Sequence, residues 1–134
     1  MNKKYIDKLA FIFIKDKKIL VTLSIGKNVW YIPGGKRENK ESDIEALTRE
    51  VKEELSVDLK PETISHYGTF GAQAHGKPIG VKVRMTCYTS DFEGTFKASN
   101  EIGKIDFFDS TTKELLSPVD YIIFADLKKK NLID

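Results

Sequence analysis

A chain of 134 residues in which 40% are apolar has material for one domain with an ordinary core. Its formal net charge of +2 excludes the broad basic footprint that holds a long nucleic acid. The single cysteine, Cys87, excludes an internal disulfide and fits a reducing compartment, where it would serve as a small buried side chain.

The N-terminal residues MNKKYIDK lead straight into an apolar run and carry no signal-peptide pattern. That run, Leu9 to Ile14, is the longest in the chain and far too short to span a membrane. A cytoplasmic protein with no membrane partner is the expectation. The unbroken apolar character of the run predicts a strand buried on both faces. Asp16-Lys17-Lys18 is a polar turn, and Ile19 to Leu23 returns as a second strand that closes a hairpin with the first. Gly26-Lys27-Asn28 breaks the pattern before a short strand, Val29-Trp30-Tyr31-Ile32, delivers the chain to Pro33. Trp30 and Tyr31 are read as packing over the core rather than stacking on a base.

The stretch from Pro33 to Val57, PGGKRENKESDIEALTREVKEELSV, organises the rest. Gly34-Gly35 lets the backbone approach a neighbour closely or adopt a positive φ. Ser42 followed three residues later by Glu45 is a capping-box pattern, so a helix begins near Asp43. Projected at about 100° per residue, Ile44, Leu47, Val51 and Leu55 fall within an arc of about 80° and form the expected core face. Glu50, Glu53 and Glu54 stand at i, i+3 and i+4 and share one flank, about 110° from that face. Like charges at this spacing repel by roughly a few tenths of a kcal/mol per pair, and a divalent cation would compensate them. Taken alone, the same acids read as the solvated side of an amphipathic helix. Arg49 can reach Glu53 one turn on, or contact a phosphate.

Beyond the helix, Ile64 to Ala72 reads as a strand, Ala74 to Pro78 as a hairpin turn, and Val81 to Tyr88 as a half-buried antiparallel strand. Val81, Val83, Met85 and Cys87 take its inner face; Lys82 and Arg84, on the other, suit a phosphate or solvent equally. His66, in a strand, and His75, in a turn, have no partner at metal-ligand spacing. A loop containing Glu101 precedes a strand at Ile105 to Phe108. Ser117-Pro118 opens a final helix, Val119 to Lys130, with proline at a tolerated early position and lysines at the end that suits the helix dipole.

The central stretch resembles the Nudix box. Gly35, Glu41, Arg49-Glu50-Val51, Glu53-Glu54-Leu55 and Val57 match it at fixed spacing, and only Ser56 departs, where that family has glycine. A residue there is expected in the left-handed C-terminal cap, so serine should cost roughly 1 kcal/mol in stability and leave the chemistry intact. The likeness covers most of the chain. It implies an α/β fold, an α/β/α sandwich around a central mixed sheet, and one hydrolase domain over 1–134. It implies metal ligation by Gly34 (through its carbonyl), Glu50, Glu53 and Glu54, with Mg²⁺ or Mn²⁺ as the cofactor. It implies catalytic roles for Glu50, Glu53, Glu101 and Arg49, with Glu50 or Glu101 as base and Glu41 bracing the loop. The implied substrate is a small nucleotide, cleaved at a diphosphate linkage as in the MutT-type pyrophosphohydrolases, which include enzymes of oxidised nucleotides. Nucleotide sugars, dinucleoside polyphosphates and capped RNA ends are the alternatives, and a non-catalytic nucleotide sensor is the alternative of another class. A base pocket is expected from Phe70, Phe107 or the Ser117–Tyr121 loop. No motif fixes the oligomeric state; a homodimer is a possible assembly.

Overall fold

A computed structural model describes residues 5–134 apart from the Lys113 side chain. The reading of the first four residues lies outside this range. In chain order the strands are β1 (Tyr5–Phe11), β2 (Ile14–Lys15), β3 (Lys18–Ser24), β4 (Trp30–Tyr31), β5 (Gly34–Lys36), β6 (Asp58–Leu59), β7 (Ser65–Gln73), β8 (Lys82–Thr89), β9 (Phe92–Glu93) and β10 (Ile102–Phe108). Helix α1 (Asp43–Leu55) falls between β5 and β6, and α2 (Pro118–Lys129) follows β10.

The first sheet has the order β5-β1-β8-β7 and is mixed, because β1 and β8 run parallel while the outer pairs are antiparallel. A second, antiparallel sheet is built on β3, with β10 on one edge and β2 and β4 on the other. A short β6-β9 pair completes the set.

The expected first hairpin therefore takes a different form. Chain continuity through Leu9–Ile14 does not make one strand: β1 ends at Phe11, the chain crosses to the second sheet, and only Ile14–Lys15 pairs with β3. The tight turn itself stands where it was expected, with Asp16 at φ 53° and Lys17 at φ 59°, the twist that suits two adjacent strands. β1 is instead occupied on both edges by β5 and β8.

Burial on both faces of the run holds. Leu9 and Phe11 enter a cluster with Ala46, Leu47, Val51 and Leu55 of α1, whereas Ala10 and Ile12 enter a second cluster with Ile123, Phe124 and Leu127 of α2. Val83, Met85 and Cys87, alternating along β8, line the α2 side. One layer of strands thus separates two cores, each closed by a helix. Among the described residues no helix is long and apolar enough to cross a membrane.

Candidate active site

The capping box forms as read: the Ser42 hydroxyl accepts from the Glu45 amide and the Glu45 carboxylate accepts from the Ser42 amide. The buried face of α1, however, is rotated from the expected one. Ile44 is 42% exposed, while Ala46 is fully buried and Glu54 is only 6% exposed. The cause is β5, which lies against the helix on the carboxylate side and covers it. Glycine makes that approach available. Gly34 sits at φ +145°, and any side chain on it would overlap the Leu9 carbonyl. A Cβ on Gly35 would stand 2.5 Å from the Glu50 carboxyl. Trp30 packs on Phe108 in the α2 core, as expected. Tyr31 does not; its ring lines the cleft beyond β5.

That cleft is a cavity of about 350 Å³ bounded by Gly34, Gly35, Glu50, Glu54, Glu101 and Lys8 among others. The helix end and a distant loop bring its acids together. The last four carbonyls of α1 need partners. The Ser56 amide donates to Lys52, the Ser99 hydroxyl to Glu53, the Ser99 amide to Glu54 and the Lys97 amide to Leu55. This docking of residues 97–99 carries the next turn, with Asn100 at φ 54°, to the cleft, and the Glu101 carbonyl is anchored by the Ile25 amide at 2.7 Å. Ser56 itself adopts φ 62°, the left-handed cap expected of that position.

Glu54 accepts one hydrogen bond, from the Gly34 amide at 3.2 Å. Burial, followed by repulsion from Glu50 and Glu101, pushes its carboxyl up to about 8. Burial also raises Glu50, against the favourable pull of Arg49. Arg49 commits every donor of its guanidinium. Nε and Nη2 grip the two Glu41 oxygens at 2.7 and 2.9 Å, Nη1 reaches Glu50 at 2.9 Å and Glu53 at 3.3 Å, and Nη2 also meets the Lys36 carbonyl at 3.1 Å. Glu41 in turn accepts the Glu38 amide at 2.8 Å and is held down at about 2 by Arg49. So Glu41 braces the loop through Arg49. With its donors engaged, Arg49 orients carboxylates rather than offering an open contact to phosphate.

Of the residues singled out in the sequence, Gly34, Glu50, Glu54 and Glu101 bound one cavity, and Glu53 stands outside it, turned to Arg49. As the side chains stand, no group of three or more His, Cys, Asp or Glu among the described residues is placed to hold a metal ion. An adjoining cavity of about 210 Å³ shares Lys8, Tyr31, Lys36 and Met85 with the cleft and is closed by Ser117, Val119 and His75. Ser117 and Val119 of the expected base-pocket loop thus line a cavity, while Phe70 and Phe107 pack at the edges of the two cores. His66, Lys82 and Arg84 line neither cavity.

Three groups in this region escaped the sequence reading. Lys8 has one signal, its place between Ile6 and Ala10 on the α2 side of β1. Tyr31 was placed in the core with Trp30, although neighbours along a strand point to opposite faces. Asp120 reads as an ordinary first-turn acid, yet it is fully buried, accepting from the Ile32 amide at 3.2 Å and the Ser117 hydroxyl at 3.0 Å while its other oxygen has no partner among the described residues.

A family model for the NUDIX domain matches residues 7–125, and the chain belongs to that family. The curated relatives include the 8-oxo-dGDP phosphatase NUDT18 of Danio rerio, 38% identical over 58 residues that make up 41% of this chain and 18% of that protein. The Homo sapiens protein of the same name is 35% identical over 65 residues, 47% of this chain and 20% of that one. The chain spans about a fifth of the length of these relatives. Among solved structures, the E. coli ORF135 protein is 25% identical with a TM-score of 0.71, over 95% of this chain and 93% of that one. The MutT protein of Methanosarcina mazei Go1 is 20% identical with a TM-score of 0.75, over 98% of each chain, and shares the fold.

Nudix hydrolases generally use a divalent metal. The donor chemistry here suits one, although among the described residues no three acids stand at ligating positions. Glu50, Glu54 and Glu101 are hard oxygen donors around one cavity, where burial, with added repulsion from neighbouring carboxylates, raises Glu50 and Glu54. A dication among them would relieve that repulsion.

Proposed function

We propose that residues 1–134 act as one Nudix domain, a metal-dependent hydrolase. It cleaves a diphosphate linkage in a nucleoside triphosphate or related nucleoside diphosphate derivative by attack of water on phosphorus. The observation that carries this reading is the convergence of Glu50, Glu54 and Glu101 on the glycine backbone of β5, beside a second cavity of mixed polar and apolar lining. The names of the NUDT18 relatives extend the candidate substrates to oxidised guanine nucleotides.

Mg²⁺ or Mn²⁺ is the cofactor of this reading, held by Glu50, Glu54 and the Gly34 carbonyl, with Glu53 joining once it leaves Arg49. When bound, such an ion neutralises phosphate oxygens and lowers the pKa of a water. The protein's own part is to place the acids and to accept the proton. Glu50, whose pKa is already raised, and Glu101, on the far wall, are the candidate bases. Arg49 holds Glu50 in place through Nη1. The nucleoside occupies the adjoining cavity, next to Tyr31 and Ser117. A single cysteine, buried, fits a cytoplasmic setting.

The test is hydrolysis of a nucleotide panel with Mg²⁺, run beside Glu53→Gln and Glu54→Gln. The panel holds canonical and oxidised triphosphates and diphosphates, ADP-ribose and a dinucleoside polyphosphate, with products separated by chromatography. Metal-dependent turnover by the wild type, lost in both variants, is the expected result. A wild type that binds a nucleotide and turns none over replaces this reading with a sensor. Light scattering of the same preparation reads whether it is a monomer or a homodimer.

A further inference from the structure

Along β1, the side facing the α2 core carries Ile6, Lys8 and Ala10, and Ile12 continues it. Ala10 and Ile12 are buried in that core and Ile6 packs against it. Lys8 is therefore a cation set in an apolar stripe, flanked in the sheet by Met85 on β8 and Lys36 on β5. Burial depresses its pKa, and Lys36 adds to this, while Asp120, Glu54 and Glu50 act the other way. None of these acids reaches it: among the described residues no ion pair includes Lys8. Its ammonium stands over the Tyr31 ring, whose centroid lies 5.3 Å from Nζ. That contact leaves the N–H donors without an acceptor among the described residues.

A partly desolvated ammonium without an acceptor is unfavourable for the fold, and such groups concentrate where a ligand completes them. The position of Lys8 says which part of a ligand. Lys8, Tyr31, Lys36 and Met85 form the ridge common to both cavities, so a molecule that fills both must cross it. Lys36 is exposed, and water screens its charge; Lys8 is half-buried, where the same charge acts more strongly. In a nucleotide that places its diphosphate in the acidic cleft and its nucleoside next door, the group at the ridge is the phosphate attached to the ribose.

We propose that Lys8 recognises that phosphate, and so sets which end of the substrate enters which cavity. This rests on the nucleotide reading above and deepens it. Lys8 is a binding residue here; it takes no proton in the reaction.

The experiment is calorimetric binding of dGMP and of deoxyguanosine in EDTA, for the wild type and Lys8→Met, with Tm measured alongside. Methionine keeps the length and suits the stripe. Loss of dGMP affinity by about tenfold or more, with deoxyguanosine affinity unchanged within about twofold, is the expected result. Tm should hold or rise, since an unpaired desolvated charge is removed. On the best substrate of the panel, KM should rise more than kcat falls. Equal loss of both ligands, loss of neither, or a lower Tm with unaltered dGMP binding overturns the assignment. Lys8→Gln repeats the comparison if the methionine variant does not fold, and failure of both to fold makes Lys8 structural, which also overturns it. A wild type that turns over but does not prefer dGMP to deoxyguanosine overturns the Lys8 assignment alone. A wild type with neither turnover nor dGMP binding overturns the nucleotide reading as well.

Discussion

The Ser56 hydroxyl oxygen lies 3.2 Å from that of Ser99 and 3.1 Å from the Lys97 carbonyl, so the residue that departs from the Nudix box touches the loop that carries Glu101. The left-handed backbone of Ser56 costs roughly 1 kcal/mol against glycine, and the hydroxyl returns about as much through its hydrogen bond. Ser56→Gly is therefore expected to be near neutral in urea denaturation. Ser56→Ala keeps the strain and loses the bond, and should lower stability by about 1–2 kcal/mol. If the hydroxyl also holds the loop, both variants should lose turnover while retaining fold.

Gly35 gives a sharper separation of fold from chemistry. An alanine Cβ there meets the Glu50 carboxyl, the far end of a side chain, so the backbone can persist while the carboxyl moves. Gly35→Ala is expected to stay within about 1 kcal/mol of wild type in urea and to lose turnover by about a hundredfold. Gly34→Ala clashes with backbone at a positive φ instead, and should fail on stability first.

Arg49 joins the loop before α1 to two acids on it, and lysine cannot reproduce the fork on Glu41. Arg49→Lys should lower stability by about 1–3 kcal/mol and release Glu50 and Glu53. Chemical denaturation and metal-titrated turnover measure the two effects separately. A variant with full stability and full turnover would show that Arg49 orients nothing.

Asp120 links stability to pH. Burial pushes its carboxyl up to about 7, well above the ordinary 3.8. The folded state therefore favours the protonated acid. Its contribution is complete below about pH 4 and is lost as pH rises through about 7. Asp120→Asn keeps an acceptor for the Ile32 amide and the Ser117 hydroxyl and removes the titration. The wild-type Tm, followed from pH 5 to pH 8, should fall relative to this variant by differential scanning; parallel curves would show that Asp120 is ionised throughout.

What could be read from the sequence was local. The capping box at Ser42, the glycine pair, the left-handed position of Ser56 and the alternation along β8 each depend on residues a few positions apart. What could not be read depends on strands far apart in the chain. Ile44 and Glu54 exchange exposure because β5 lies on the helix flank, and helical projection alone has no β5 in it. The split of the Leu9–Ile14 run depends on distant partners, β5 and β8 for its first part and β3 for its last. Lys8 and Asp120 gain their character only when β1, the Tyr31 segment and the start of α2 enclose them. Glu101 was named from the resemblance, but its nearness to Glu54 comes from the capping of α1 by Ser99, which no spacing in the sequence announces.

Cys87 is fully buried in the α2 core, and burial, with Asp120 and Asp126 behind it, raises its thiol. The intact protein therefore carries a chemically silent sulfur. Alkylation at neutral pH becomes a clock for opening of that core: each modified molecule records one excursion from the closed state. Mass spectrometry can count such molecules in the same tube in which turnover is followed, so a variant that is slow because it unfolds can be told from one that is slow because its chemistry is impaired.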